Sequence, residues 1–164
     1  MLLEKVWMNL DALLLWGFIA TALMTLVLSA SRFLGWSRIS LPFLVGTLWS
    51  GNRRNAEMSG FVAYIIGGWG FATFYALIFE SLKMANWWLG LLIGILHGLF
   101  LLAVMLPLAP QIHPRIATEY DGPAVHRPIE PPGFLGLNYG TGTPFVTLIG
   151  QAIYGIMLGI GYPA

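Results

Sequence analysis

NWWLGLLIGILHGLFLLAVMLPLAP, residues Asn86 to Pro110, is the stretch that decides the fold. Trp87 to Leu108 holds no Asp, Glu, Lys or Arg. At about 1.5 Å rise per residue, a helix over those residues reaches across the roughly 30 Å hydrocarbon layer of a bilayer. The stretch therefore reads as a membrane-spanning helix. Gly90, Gly94 and Gly98 recur every fourth residue, so they stack on one side and let another helix backbone come close. His97 falls on the same side, near mid-depth, as the one titratable side chain of the run.

The composition agrees. Of 164 residues, 57% are hydrophobic and 9% charged, and the mean hydropathy is +0.76. Soluble domains carry about a quarter charged residues, so this is the composition of an integral membrane protein. A net charge of +1 lacks the basic surface that nucleic acid requires, which sets that partner aside. With no cysteine there is no disulfide, thiolate nucleophile, Cys-held zinc or iron–sulfur cluster. Glu4 and Asp11 flank Lys5 ahead of the first apolar run, unlike the basic start of a secretory signal, and that run is expected to be retained.

The expected architecture is all-α, a single membrane domain over residues 1–164. Four transmembrane helices cover about 12–34, 61–80, 87–108 and 144–162, with a short interfacial helix between the first two and a long irregular loop before the last. Residues 1–10 suit either a short helix in the headgroup zone or a frayed end, and Asp11 can cap the first span. Ser40-Leu41-Pro42 resembles a helix start, and 41–49 is apolar but too short to span, hence the interfacial or re-entrant reading. Arg38, Arg53 and Arg54 around it are placed to meet lipid phosphates, and Trp36 and Trp49 fit the aromatic belt. The second span ends at Glu80, whose carboxylate can reach the interface, and the few residues after it force an antiparallel hairpin onto the central helix. Residues 111–142 hold Pro114, Pro123, Pro128, Pro131 and Pro132, so long helix is not expected there. Their second half, GFLGLNYGTG, is too apolar for a solvated linker and is expected to fold back on the membrane or dock on a neighbour.

Arg32, Arg38, Arg53, Arg54, Arg115 and Arg127 lie in the first and third connections, against Lys5 and Lys83 on the other side. The positive-inside bias puts both long connections in the cytoplasm and both termini outside it.

Each span carries a row of small residues: Gly17 and Thr21, Gly68 and Ala72, Gly90 to Gly98, and Gly155 and Gly159. Close van der Waals packing holds helices together in lipid, so these rows are packing faces, either within one bundle or toward another subunit. His97 admits three readings. It is a neutral imidazole bonded to a neighbouring helix at Gln151, Thr21 or Thr25; an axial ligand to haem iron or a chlorophyll magnesium; or part of a proton or ion relay with Gln151. His113, Glu119, Asp121, His126 and Glu130 have the right donor types for a divalent ion, but their spacing matches no compact metal motif. His113, Asp121 and His126 are kept as the metal candidates, beside the plainer reading of a solvated loop partly paired with Arg115 and Arg127. No serine stands in a nucleophile turn, so no enzyme is expected.

GWSRISLPFLVGTLW after the first span, His97-Gly98, His113-Pro114-Arg115 and the closing GFLGLNYGTGTPFVTLIGQAIYG together resemble a broad group of uncharacterised small bacterial four-helix integral membrane proteins. The resemblance covers most of the chain and implies a bacterial source and four spans; it carries no site residues. The expected function is a non-catalytic accessory or scaffold subunit of a larger bacterial inner-membrane complex, respiratory or photosynthetic, with other membrane subunits and lipids as partners. Alternatives are a small carrier or channel for a proton, metal ion or small solute using His97 and Gln151, and a pigment- or haem-binding module with His97 as ligand.

Overall fold

The computed structural model describes residues 2–164. It is all-helical: α1 Leu2–Met8, α2 Leu10–Phe33, α3 Leu41–Gly46, α4 Arg53–Leu82, α5 Trp87–Ile112 and α6 Thr143–Gly161, with a 3-10 segment at Phe134–Tyr139. By length and composition α2, α4, α5 and α6 are each able to cross a membrane.

Their limits differ from the hydropathy pattern where local bonds outweigh it. α2 starts at Leu10, so Asp11 sits in its first turn rather than capping it, and the backbone N–H of Leu13 bonds the Asn9 carbonyl at 2.9 Å. α4 starts at Arg53, well before the apolar run. Asn52 caps it, its side-chain oxygen accepting from the Asn55 N–H at 3.2 Å, and Arg53 pairs with Glu57 one turn on at 2.9 Å. At 30 residues α4 is about 45 Å long, more than the hydrocarbon layer needs.

α5 runs past Pro107 to Ile112. A proline lacks the N–H for the helical ladder, and its ring crowds the carbonyl four residues back. Here a π-turn over Leu101–Met105 widens the helix just before Pro107, and the Leu106 N–H reaches back five residues to the Leu101 carbonyl. The broadened turn moves the backbone out of the ring's way, and the helix continues.

The chain forms two compact units. The first takes in the chain through Val27, Ile65–Gly98 and Leu148–Ala164; the second takes in Leu28–Tyr64 and Leu99–Thr147.

In the first unit, α5 and α6 meet backbone to backbone. A Cβ on Gly90 would strike the Gly155 carbonyl, one on Gly94 the Gln151 carbonyl, and one on Gly159 the Asn86 carbonyl. Between α2 and α4, Gly17 lies against Trp69 and Ala72, and Gly68 against the Thr21 hydroxyl. Tyr75, Phe79 and Tyr154 are fully buried, with Tyr75 and Tyr154 edge to face at 5.5 Å. The Tyr154 hydroxyl donates to the Gly68 carbonyl at 2.6 Å.

In the second unit, Gly46 of α3 lies on Ala56 and Gly60 of α4, so close that a Cβ on either glycine would meet backbone. α3 itself is shorter than the apolar stretch 41–49 that announced it. The connection expected to be irregular is held by defined bonds. Ile116 and Ile129 form a bridge, with Ala117 N–H donating to the Ile129 carbonyl at 2.8 Å, and Ala124 and Arg127 form a second. Its apolar end docks on this chain's own first connection. Arg38 N–H bonds the Tyr139 carbonyl at 2.6 Å, and the buried hydroxyls of Ser37 and Thr143 lie 2.7 Å apart.

Candidate functional site

The small-residue rows are occupied within the first unit. Gly90, Gly94 and Gly98 face Gly155, Gln151 and Leu148 of α6, while Gly17, Thr21, Gly68 and Ala72 face one another between α2 and α4. The glycine side of α5 is filled by α6, by the backbone of Gly155 and Gln151 and by the Leu148 side chain. Gly67 and Gly70 alone of the α4 glycines look into open space.

His97 packs its ring on Phe71, centroids 4.3 Å apart, and its Nδ1 shares a 3.3 Å hydrogen bond with the Tyr75 hydroxyl. None of the expected partners takes this place. Thr21 donates to the Gly17 carbonyl and Thr25 to the Thr21 carbonyl, each four residues back along their own helix. The signal in the sequence is Phe71 and Tyr75, one turn apart on α4.

Three buried side-chain atoms among the described residues have no hydrogen-bond partner: His97 Nε2, Gln151 Oε1 and Thr147 Oγ1. All lie on α5 and α6, and Thr147 stands one turn before Gln151. Gln151 is 4% exposed, and its side chain starts against Gly98, the neighbour of His97. A polar atom shut away from water without a partner costs about 1–3 kcal/mol, and bilayer hydrocarbon offers no relief.

At the other end of α4 the sequence hid a cluster. Glu80 is not free at an interface; it is 5% exposed and ringed by polar groups. Lys5 Nζ lies 3.3 Å from its Oε2, and Asn9 Nδ2 and the Tyr162 hydroxyl donate to Oε1 at 3.4 and 3.2 Å. Asn9 also bonds the Pro163 carbonyl at 2.9 Å. The carboxylate thus ties α1 and the chain's last residues to α4.

In the second unit the metal candidates stand apart in role. His113 Nε2 donates to the Leu44 carbonyl at 3.0 Å, and its Nδ1 accepts the Arg115 N–H at 3.1 Å. Both nitrogens are committed, which fixes the neutral tautomer. Burial pushes its pKa below the usual 6.5; the Leu44 bond opposes this, and the neighbouring Arg115 charge adds a smaller downward push. Asp121 closes a turn with Thr118, accepting its hydroxyl at 2.7 Å, and His126 is exposed. Among the described residues no three His, Asp or Glu side chains are grouped to hold a metal. The two loop arginines bond carbonyls rather than loop acids: Arg115 bonds those of Thr47 and Leu48, and Arg127 that of Pro110. Of the arginines expected at lipid phosphates, Arg38 pairs with Glu130 at 3.1 Å, Arg53 pairs with Glu57, and Arg54 is exposed.

Fold and site define a class, an all-helical multi-pass membrane protein with a folded polar connection. No protein-family model matches the chain, no curated protein is significantly similar to it, and no solved structure matches its fold.

Proposed function

We propose that this protein is a non-catalytic accessory subunit of a larger membrane assembly, engaged through the tip of its polar connection. One observation carries this reading. Tyr120 and Val125 are 98% and 93% exposed on a segment that is otherwise pinned by its own hydrogen bonds. The Thr118–Asp121 turn and the Ala124–Arg127 bridge hold that tip in shape. Large apolar side chains on an ordered segment outside the spans are the mark of a surface that a partner covers. The helix rows lend no support, since they are used internally. A bacterial inner membrane, with both long connections in the cytoplasm and both termini outside, is the setting that the resemblance and the arginine distribution favour.

Isolation from the host in nanodiscs, with native mass spectrometry, tests this. Recovery at fixed stoichiometry with other membrane subunits, lost in Tyr120→Asp and Val125→Asp variants that keep their helical content, is the expected result. Recovery alone or as a homo-oligomer overturns it.

The orphaned His97 Nε2 and Gln151 Oε1 favour a second reading, a carrier or binding module for a small polar guest. Flux into vesicles, or a visible absorbance band, that disappears in His97→Ala would decide for it.

A further inference from the structure

α2 ends in a tight backbone cap. The Trp36 N–H bonds the Ser31 carbonyl at 2.9 Å and the Gly35 N–H the Arg32 carbonyl at 3.1 Å, with Gly35 in the left-handed region at φ 74°. This turn brings Arg32, at the end of the helix, and Arg38, after it, to one groove of about 450 Å³, also lined by Ser29, Phe33, Gly35 and Ser37. We propose that this groove holds the phosphate group of an anionic membrane lipid.

Charge supports it. Arg32 is exposed and has neither an acid nor a carbonyl partner among the described residues. Arg38 is half-satisfied by Glu130 and the Asn138 carbonyl. One guanidinium is therefore free, the second is anchored, and Ser29 adds an exposed hydroxyl one turn before Arg32. Ser37 is already engaged by Thr143 and the Ile39 N–H, so it shapes the wall rather than donating outward. Guanidinium groups match phosphate oxygens in pairs of parallel N–H bonds.

The surroundings select a lipid over a free anion. Phe33, Leu34 and Trp36 beside the groove are 93%, 58% and 61% exposed. A free phosphate would leave them in water, whereas a lipid bound by its phosphate lays acyl chains against Phe33 and Leu34 and sets Trp36 at headgroup depth. The inference is independent of the partner reading, because it needs only the membrane.

The test uses the full chain in neutral detergent, titrated with phosphatidylglycerol or with phosphatidylcholine of the same chain length, and read by native mass spectrometry. Preferential retention of phosphatidylglycerol is expected, weakened about fivefold by Arg32→Gln, as one lost basic contact predicts. Lys83→Gln removes an exposed basic side chain outside the groove and should leave retention unchanged. Millimolar inorganic phosphate should not displace the lipid. Equal retention of the two lipids overturns the proposal, as does an Arg32→Gln variant that binds like wild type. Equal loss in Lys83→Gln would mean general surface attraction and also overturns it. Displacement by inorganic phosphate would assign the groove to a free anion instead.

Discussion

The two units of this chain are held by different means. In the first, helices touch through glycine and alanine, and little separates one backbone from the next: Gly90 on Gly155, Gly94 on Gln151, Gly17 on Ala72. In the second, cationic and amide side chains reach main-chain carbonyls: Arg115 to Thr47 and Leu48, Arg127 to Pro110, Arg38 and Asn138 within the polar connection. The solvent each kind of structure is built for accounts for the contrast. Regular helices satisfy their own backbone groups and need only contact area, which in lipid comes from close approach. Short helices and irregular connections leave carbonyls over, and each needs a donor from elsewhere. Unit one should therefore fail through added volume, as should the Gly46–Gly60 contact of unit two, whereas the irregular connections of unit two should fail through lost donors.

The largest effect is expected at Gly94. A methyl there meets the Gln151 carbonyl and the Ala152 Cα, backbone that cannot swing aside, so Gly94→Ala should destabilise by about 3 kcal/mol in a denaturation series in mixed micelles. The same substitution at Gly67, which faces open space, should stabilise by about 0.5–1 kcal/mol through helix propensity. If both substitutions behave alike, close approach is not what holds the first unit.

Next in size is Arg115→Ala. It strips the Thr47 and Leu48 carbonyls of a charged donor and should cost about 2 kcal/mol, with faster amide exchange confined to 41–50. Exchange that quickens equally in 87–98 would erase the distinction between the units.

His113 gives a pH-dependent version of the same test. Its pKa lies below that of the unfolded chain, so folding favours the neutral ring; the stability it contributes is complete above about pH 6.5 and is lost as pH falls below that value. A proton on Nδ1 would face the Arg115 N–H instead of accepting it, a loss of about 1 kcal/mol for one hydrogen bond. Acidification from pH 7 to 5 should loosen the second unit, and His113→Gln should flatten that response.

The same contrast explains what the sequence shows and what it hides. Four helices long enough to cross a bilayer are legible because each is an apolar run, and the side of α5 that packs is legible from glycines four apart. The first two turns of α4 are not, because Asn52 and the Arg53–Glu57 pair make helix out of residues that hydropathy reads as loop. The depth of His97 could be counted, but its bond to Tyr75 could not, since a tyrosine in a span reads equally well as lipid-facing. Glu80 is the sharpest case. Its position marks the end of a span, while its burial depends on Lys5, Asn9 and Tyr162, which come from the two ends of the chain. Periodicity within one helix is local information; the donors of the second unit and the Glu80 cluster are supplied from far along the chain.

The smallest expected effect bears on the turn that joins α4 to α5. There the Met84 N–H bonds the Phe79 carbonyl and the Lys83 N–H the Glu80 carbonyl, the same cap that ends α2. At α2 the left-handed position is Gly35; here it is Lys83, at φ 52°. A side chain in that region costs about 1 kcal/mol, and glycine gives part of that back as a more flexible unfolded chain. Lys83 also brings a positive charge to a helix C-terminus, worth a few tenths of a kcal/mol. The balance predicts that Lys83→Gly stabilises by about 0.5 kcal/mol and that Lys83→Ala, which keeps the strain and loses the charge, destabilises by a similar amount. Leu135 is the other non-glycine residue at positive φ among those described, but it is partly buried in the second unit, so Leu135→Gly should lose more contact than the relieved strain returns. A gain at both positions would show that backbone strain, rather than the packing around it, sets the stability of each turn.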